Sequence, residues 1–252
     1  MNYFLPDYNM IKVIFIDVDN TLLDFDEFVR QAMKSGFSYY KLKAYENWMY
    51  EIFTEENTKL WKQIELGSLS LPELEQIRWN HIFRKIGIDF DGVVFEKYFR
   101  DTLYESVIPV AGAYSMLDAL KGNYLLCVAS NGPYDKQMHR LKLANMEHYF
   151  DYFFISEKIR AAKPAAAFFD YAFSKLNENR SEIIRPENCM IIGDSMTSDM
   201  KGGFDYGMKT CYFRRRKSDV IDPKIDIVVD DLSEVIRFFD CDHPKNRIHS
   251  IQ

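Results

Sequence analysis

The chain has 252 residues, 47% hydrophobic and 28% charged, a balance that excludes a fibrous or a disordered protein. Its 32 Lys and Arg against 38 Asp and Glu leave a formal charge of −6. Polymeric nucleic acid is therefore an unsuitable partner, because binding it draws on a basic surplus that displaces counterions.

In chain order, the first apolar run is Val13–Ile16, followed at once by Asp17-Val18-Asp19-Asn20-Thr21. From about Asp24 to Ser106 no strand pattern appears. Glu27–Met33, Tyr40–Phe53, Asn57–Glu65, Pro72–Ile86 and Val93–Tyr104 have helical spacing, with breaks at Gly67-Ser68 and Gly87-Ile88-Asp89. Short apolar runs return at Leu125–Ala129, Phe153–Ile155, Met190–Ile192, Thr210–Phe213 and Ile225–Val229. Between them lie helix-like Tyr134–Asn145, Ala165–Asn177 and Ser198–Tyr206, with Leu232–Phe239 last. Strand alternating with helix predicts parallel pairing, and solidly apolar strands predict cover on both faces. The expected architecture is α/β: a Rossmann-like three-layer core with a parallel sheet, formed by residues 1–24 and 107–252, plus an inserted all-helical cap domain over residues 25–106.

Cys127, Cys189, Cys211 and Cys241 form no CxxC pair, so no zinc site is expected. Three of them lie in apolar runs and read as buried thiols of a reducing compartment. Ile11 to Ile16 is interrupted by Lys12 and too short for a bilayer. Met1 to Asp7 lacks the basic region and cleavage site of a signal peptide. A soluble cytoplasmic protein is expected, as a monomer or homodimer and without a membrane partner.

Four polar segments follow four predicted strands, at the sheet edge where α/β proteins bind ligands. Asp17 and Asp19 are two carboxylates that can converge on one site, or act differently if their surroundings separate them; a polar turn is the plain alternative. Ser130-Asn131-Gly132 offers a hydroxyl, an amide and flexible backbone for an anion, or forms an ordinary Asn-Gly turn. Lys163-Pro164 puts a cation before a helix with Pro at its first turn, or is helix punctuation with a solvated lysine. In Gly193-Asp194-Ser195, Asp194 suits a hard divalent cation or caps the next helix. Asp199, five residues on, holds a loop or orients Lys163.

In this order the four segments resemble the haloacid dehalogenase superfamily of phosphohydrolases, whose pattern is D-x-D-x-T, Ser/Thr, Lys, then G-D-x-x-x-x-D. The resemblance covers the core nearly end to end, and the helical insert stands where that family carries its cap. Phe25-Asp26, Leu60-Trp61, Ile155-Ser156-Glu157, Phe168-Phe169-Asp170-Tyr171-Ala172, Ser198-Asp199-Met200-Lys201-Gly202-Gly203 and Thr210-Cys211 are similar to its pyrimidine 5′-nucleotidase branch. Arg160 departs from a usual glycine. Arg214-Arg215-Arg216 departs from a polar loop and reads as solvated.

The resemblance implies a Mg²⁺-dependent phosphatase of small phosphate monoesters, a pyrimidine nucleoside 5′-monophosphate nucleotidase. It implies Asp17 as nucleophile and Asp19 as acid and base. Mg²⁺ would lie on Asp17, Asp194 and the Asp19 carbonyl. The Ser130 hydroxyl, the Asn131 and Gly132 amides and Lys163 would hold the phosphoryl group. Thr21 would fix the turn. All three Trp (Trp48, Trp61, Trp79) fall in the insert, where rings either pack as core or wall a substrate; Phe25 is the expected substrate contact. The alternatives are a sugar phosphomutase with the same paired carboxylates and, outside enzymes, a phosphate-accepting signalling module. A dehalogenase would need no acid at Asp19.

Overall fold

The computed structural model describes residues 10–217 and 220–239; Met1 to Asp7 and Cys241 lie outside them. The chain runs β1 (Val13–Ile16), α1 (Phe25–Tyr39), α2 (Asn47–Glu65), α3 (Leu71–Ile86), α4 (Gly92–Tyr104) and α5 (Ala113–Leu120). It continues β2 (Leu125–Ser130), α6 (Tyr134–Leu143), β3 (Tyr152–Ile155), α7 (Ser156–Ile159) and α8 (Ala166–Leu176). β4 (Cys189–Gly193), a π turn at Met196–Met200, α9 (Lys201–Tyr206), β5 (Lys209–Phe213), β6 (Ile227–Val229) and a 3₁₀ segment at Leu232–Phe238 complete it. The chain divides into two compact units, residues 1–24 with 109–252 and Phe25–Ile108.

The first unit is built on a six-stranded parallel sheet of order β3-β2-β1-β4-β5-β6. Every residue of β1 is fully buried, which is why Val-Ile-Phe-Ile carries no polar alternation. Val13 pairs with Leu125 on one side and Cys189 on the other, and Ile16 with Val128 and Ile192. The chain therefore leaves β1 toward β2 and β3, then returns to β4 on the opposite flank. Strand order reverses at β1, and the crevice beyond the carboxyl ends there is the ligand position of an open α/β sheet. One face packs Val13, Phe15, Cys127 and Ile191 against Phe168, Phe169 and Ala172 of α8. Cys127, Cys189 and Cys211 are buried free thiols. No helix among the described residues is long and apolar enough to cross a membrane.

The second unit is all helical around Phe28, Phe37, Phe53, Trp79, Phe83, Phe95 and Phe99. The Trp79 ring lies 4.4 Å from Phe95 and 5.2 Å from Phe99, centroid to centroid, so this tryptophan is core. Trp48 is 42% exposed.

Several elements differ from expectation. Tyr40–Phe53 and Asn57–Glu65 are not two helices. α1 stops at Lys41, whose φ is 55°, with the Leu42 amide donating back to the Phe37 carbonyl (2.8 Å) in a Schellman-like closure. α2 then runs unbroken through Thr54-Glu55-Glu56. There the Thr54 hydroxyl donates to the Tyr50 carbonyl (3.0 Å) and Glu56 accepts from Lys59 and Lys85, so polar residues that resemble a break are absorbed by the helix. α8 begins two residues beyond Pro164, outside its first turn. Ser198–Tyr206 opens as a π turn rather than an α-helix. α5 and α7 have no counterpart among the predicted elements.

Candidate active site

Asp17 is the first residue past β1, and its amide still donates to Ile192 of β4 (3.0 Å). The chain then folds on the Val18 carbonyl, which accepts from the amides of Thr21, Leu22 and Leu23. Asn20 takes a left-handed φ of 64°, which Asn tolerates through its short polar side chain. The turn is tied by backbone: the Thr21 hydroxyl is buried with no hydrogen-bond partner among the described residues. Thr21 thus serves the turn through its amide, not through its hydroxyl.

Lys163 is buried and reaches three acceptors, the Asp17 Oδ1 (2.8 Å), the Asp199 Oδ1 (2.5 Å) and the Ala129 carbonyl. This accounts for all three ammonium protons, so Lys163 is not a solvated lysine. Its loop is fixed by Asn131, whose side-chain amide donates to the Lys163 carbonyl (2.9 Å) and accepts from the Lys163 amide (2.8 Å). The Gly132 amide donates to the Ser130 Oγ (3.1 Å) and so is engaged within its own loop. Ser130 Oγ accepts a second bond from Gln137 Nε2 (2.9 Å). With both donors pointing at its oxygen, the hydroxyl keeps its own proton to give.

Gly193 ends β4, with Asp194 and Ser195 next. A Cβ on Gly193 would lie 2.2 Å from Asp199 Oδ2. The glycine therefore admits the Asp199 carboxylate rather than a ligand. That Oδ2 also accepts from the Ser195 amide (3.1 Å), while the Ser195 Oγ caps the π turn by accepting from the Ser198 amide (3.2 Å).

Gln137 and Arg140, which the motif pattern passes over, complete the cluster. Gln137 Nε2 donates to Asp19 Oδ2 (2.6 Å) and Arg140 Nη1 to Asp19 Oδ1 (2.6 Å). Both are buried on the stripe of α6 that also buries Leu141. A polar pair at i and i+3 on an apolar stripe, just after Ser130-Asn131-Gly132, is the signal that could have revealed them.

Other expected features have partners of their own. Phe25 packs its ring against Phe28, Phe53 and Phe99 in the helical unit. Arg160 ends α7 at a left-handed φ of 62°. The basic run is not merely solvated: Arg214 forms a two-bonded pair with Asp230 (2.7 Å each) and Arg215 pairs with Asp24 (2.7 Å).

Burial pushes the Asp17 carboxyl up; Lys163 pulls it down, and Asp199 and Asp19 push it up again, leaving it at about 7. Burial alone would lower the Lys163 ammonium, but Asp17 and Asp199 outweigh it and hold it above the ordinary lysine range. Lys163 therefore stays charged while Asp17 carries the cost of a shared cation. Asp17, Asp194 and Asp199 each bring one carboxylate oxygen within 4.8 Å of the others. Of these, both Asp199 oxygens are engaged by Lys163 and the Ser195 amide, while the Asp17 and Asp194 carboxylates are hard oxygen donors that fit a divalent cation of the Mg²⁺ type in charge and in chemistry.

Residues 11–207 match the haloacid dehalogenase-like hydrolase family. Among curated proteins, the pyrimidine 5′-nucleotidase PynA of Streptococcus pneumoniae is 30% identical, covering 80% of this chain and 83% of its own. The pyrimidine 5′-nucleotidase YjjG of Escherichia coli is 29% identical, covering 79% and 84%. Among solved structures, magnesium-bound YfnB of Bacillus subtilis superposes with a TM-score of 0.79 at 26% identity, covering 91% of this chain and 99% of that one. The L-2-haloacid dehalogenase of Xanthobacter autotrophicus shares the fold, with a TM-score of 0.69 at 15% identity over 90% and 97%. With the family match spanning most of the chain, on a sheet whose switch point gathers Asp17, Lys163, Asp194 and Asp199, this protein belongs to the haloacid dehalogenase-like hydrolases.

Proposed function

We propose that the chain is a Mg²⁺-dependent phosphatase acting on small phosphate monoesters, with pyrimidine nucleoside 5′-monophosphates as its substrate class. The observation that carries this is Lys163, which bridges Asp17 and Asp199 at the carboxyl edge of the sheet with Asp194 alongside. A phosphate monoester resists water, so its cleavage needs a nucleophile, an acid for the leaving group and neutralised charge. Asp17 attacks phosphorus, forming an aspartyl phosphate as the ester P–O bond breaks. Asp19 gives its proton to the departing oxygen, then takes one from the water that cleaves the Asp17–phosphorus bond and releases inorganic phosphate. The Ser130 hydroxyl proton is assigned to a phosphoryl oxygen, with the Asn131 amide alongside, and Lys163, whose protons are taken by Asp17, Asp199 and the Ala129 carbonyl, offsets phosphoryl charge through its field. A cation held by Asp17, Asp194 and the Asp19 carbonyl supplies charge neutralisation when bound. The side chain of Asp199 acts through Lys163.

The substrate class rests on the two nucleotidase relatives, and selection among esters is assigned to the helical insert. A cytoplasmic location accords with the three buried free thiols. The test is phosphate release across nucleoside monophosphates, sugar phosphates and an aryl phosphate, with Mg²⁺. Preferential release from pyrimidine nucleotides, without a bisphosphate activator, is the expected result. A flat response across the panel rejects the nucleotide assignment and leaves the phosphatase; no release from any ester rejects both.

A further inference from the structure

We propose that Gln137 and Arg140 are positioning residues that hold the Asp19 carboxyl for proton transfer to the leaving group and tie it to the phosphoryl cradle. This rests on the phosphatase reading above. Both side chains are only 1% exposed, while the Asp19 side chain is 34% exposed on its turn. Left alone, a half-exposed aspartate would sample several rotamers. Here each of its oxygens has its own donor from α6, which selects one.

The orientation of the Gln137 amide is fixed as well. Its Oε1 accepts from Arg140 Nη1 (3.2 Å) while its Nε2 serves both Asp19 Oδ2 and Ser130 Oγ. A flipped amide would set oxygen against carboxylate and nitrogen against guanidinium. One amide therefore joins Asp19 to Ser130. The group expected to protonate the leaving oxygen is held in register with the hydroxyl expected to hold the phosphoryl oxygens. Space for this amide is left by Gly132, where a Cβ would lie 2.4 Å from Nε2. Burying an arginine and a glutamine on a stripe that a leucine could fill is costly unless both are fully paired. Each gives one hydrogen bond to Asp19, which is a functional reason for the choice.

The test uses the full chain with Mg²⁺ and two esters: the alkyl phosphate it cleaves best in the panel, and 2,4-dinitrophenyl phosphate, whose leaving group needs no proton. Gln137→Leu and Arg140→Lys are expected to lower kcat/KM on the alkyl ester, which reports the step that forms the aspartyl phosphate, about 10- to 100-fold, the scale of a displaced acid. The dinitrophenyl ester should lose less than about 3-fold in kcat/KM, because its departure needs no proton, while any fall in its kcat reports the hydrolysis step that both esters share. In an Asp19→Asn background, assayed on the dinitrophenyl ester, neither substitution should add more than about 2-fold, because each acts through Asp19. Arg140→Lys keeps the buried cation and serves if Gln137→Leu does not fold, with thermal melting as the control. Equal losses on both esters, or losses that add in the Asp19→Asn background, overturn the proposal while the phosphatase stands. Wild-type protein that cleaves neither ester removes both.

Discussion

Asp17 and Lys163 divide their roles through burial. A carboxylate in a dry site is destabilised by desolvation, and only a nearby cation keeps it ionised. Lys163 gives one proton to Asp17, one to Asp199 and one to the Ala129 carbonyl, so its charge is shared. Replacing Asp17 by Asn removes the nucleophile but leaves a carbonyl oxygen that can still accept from Lys163. The expected outcome is a loss of turnover of about four orders of magnitude or more, on the scale of nucleophile deletions, in a chain that still unfolds cooperatively. Phosphate release and thermal unfolding together check it, and near-normal activity removes Asp17 from the chemistry. Lys163→Met should behave differently. It leaves the Asp17 and Asp199 carboxylates buried without their cation, a defect of about 3–5 kcal/mol, which denaturant unfolding of the metal-free protein would register.

The short elements set the orientation of the long ones. α6 has Pro133 at its N-cap and no capping side chain from its own sequence. Its first amide, on Tyr134, donates instead to Glu157 of α7 (2.8 Å), an anion at a helix start where the dipole favours one. α7 thus anchors the start of the helix that presents Gln137 and Arg140. α7 closes at Arg160, whose φ of 62° belongs to the left-handed region. An L-residue there costs about 1–2 kcal/mol, and glycine gives back about 0.5–1 through its freer unfolded chain. Arg160 is exposed, so little packing is lost. Arg160→Gly is expected to stabilise the protein by about 0.5–1 kcal/mol, a melting shift of roughly 1–4 °C. A lower melting temperature would show that the arginine makes a contribution larger than its backbone cost. This departure from the family pattern was visible in the sequence, but its backbone conformation was not. Strand positions were legible because buried parallel strands are solid apolar runs. α7 was not, since four residues carry no periodicity to read.

At the scale of the molecule, the sheet brings together groups from four distant segments, and sequence order alone revealed most of them. Asp17 and Asp194 directly follow strands, Ser130 ends β2 and Lys163 comes after β3 and the short α7, so topology converts their spacing into one edge. The partners of Asp19 were hidden because a helix stripe is expected to be apolar, and Arg215–Asp24 because nothing local links residues 191 apart. The assembled edge gathers three carboxylates, Asp17, Asp194 and Asp199, with Lys163 paired to Asp17 and Asp199, while Asp19 has Arg140. That imbalance leads to a linkage prediction. In the metal-free protein Asp17 has its carboxyl raised from 3.8 to about 7, so between these values the folded state holds a proton that the unfolded state has released. Its contribution is fully present below about pH 4, is lost as pH rises toward 7, and levels off above that. A cation on Asp17 and Asp194 competes with that proton. Added Mg²⁺ should therefore raise the melting temperature little at pH 5 and markedly at pH 8, approaching the gain of roughly 2.7 kcal/mol that a ligand at 100 times its Kd provides. Asp17→Asn should flatten the metal-free pH slope, and Asp194→Asn should weaken the Mg²⁺ gain while keeping that slope. Chelation should abolish phosphate release, with Mg²⁺ restoring it. Thermal melts across pH with and without Mg²⁺ compare both variants with the unaltered protein in one experiment. A Mg²⁺ gain independent of pH, or untouched in Asp194→Asn, would place the cation elsewhere on the molecule.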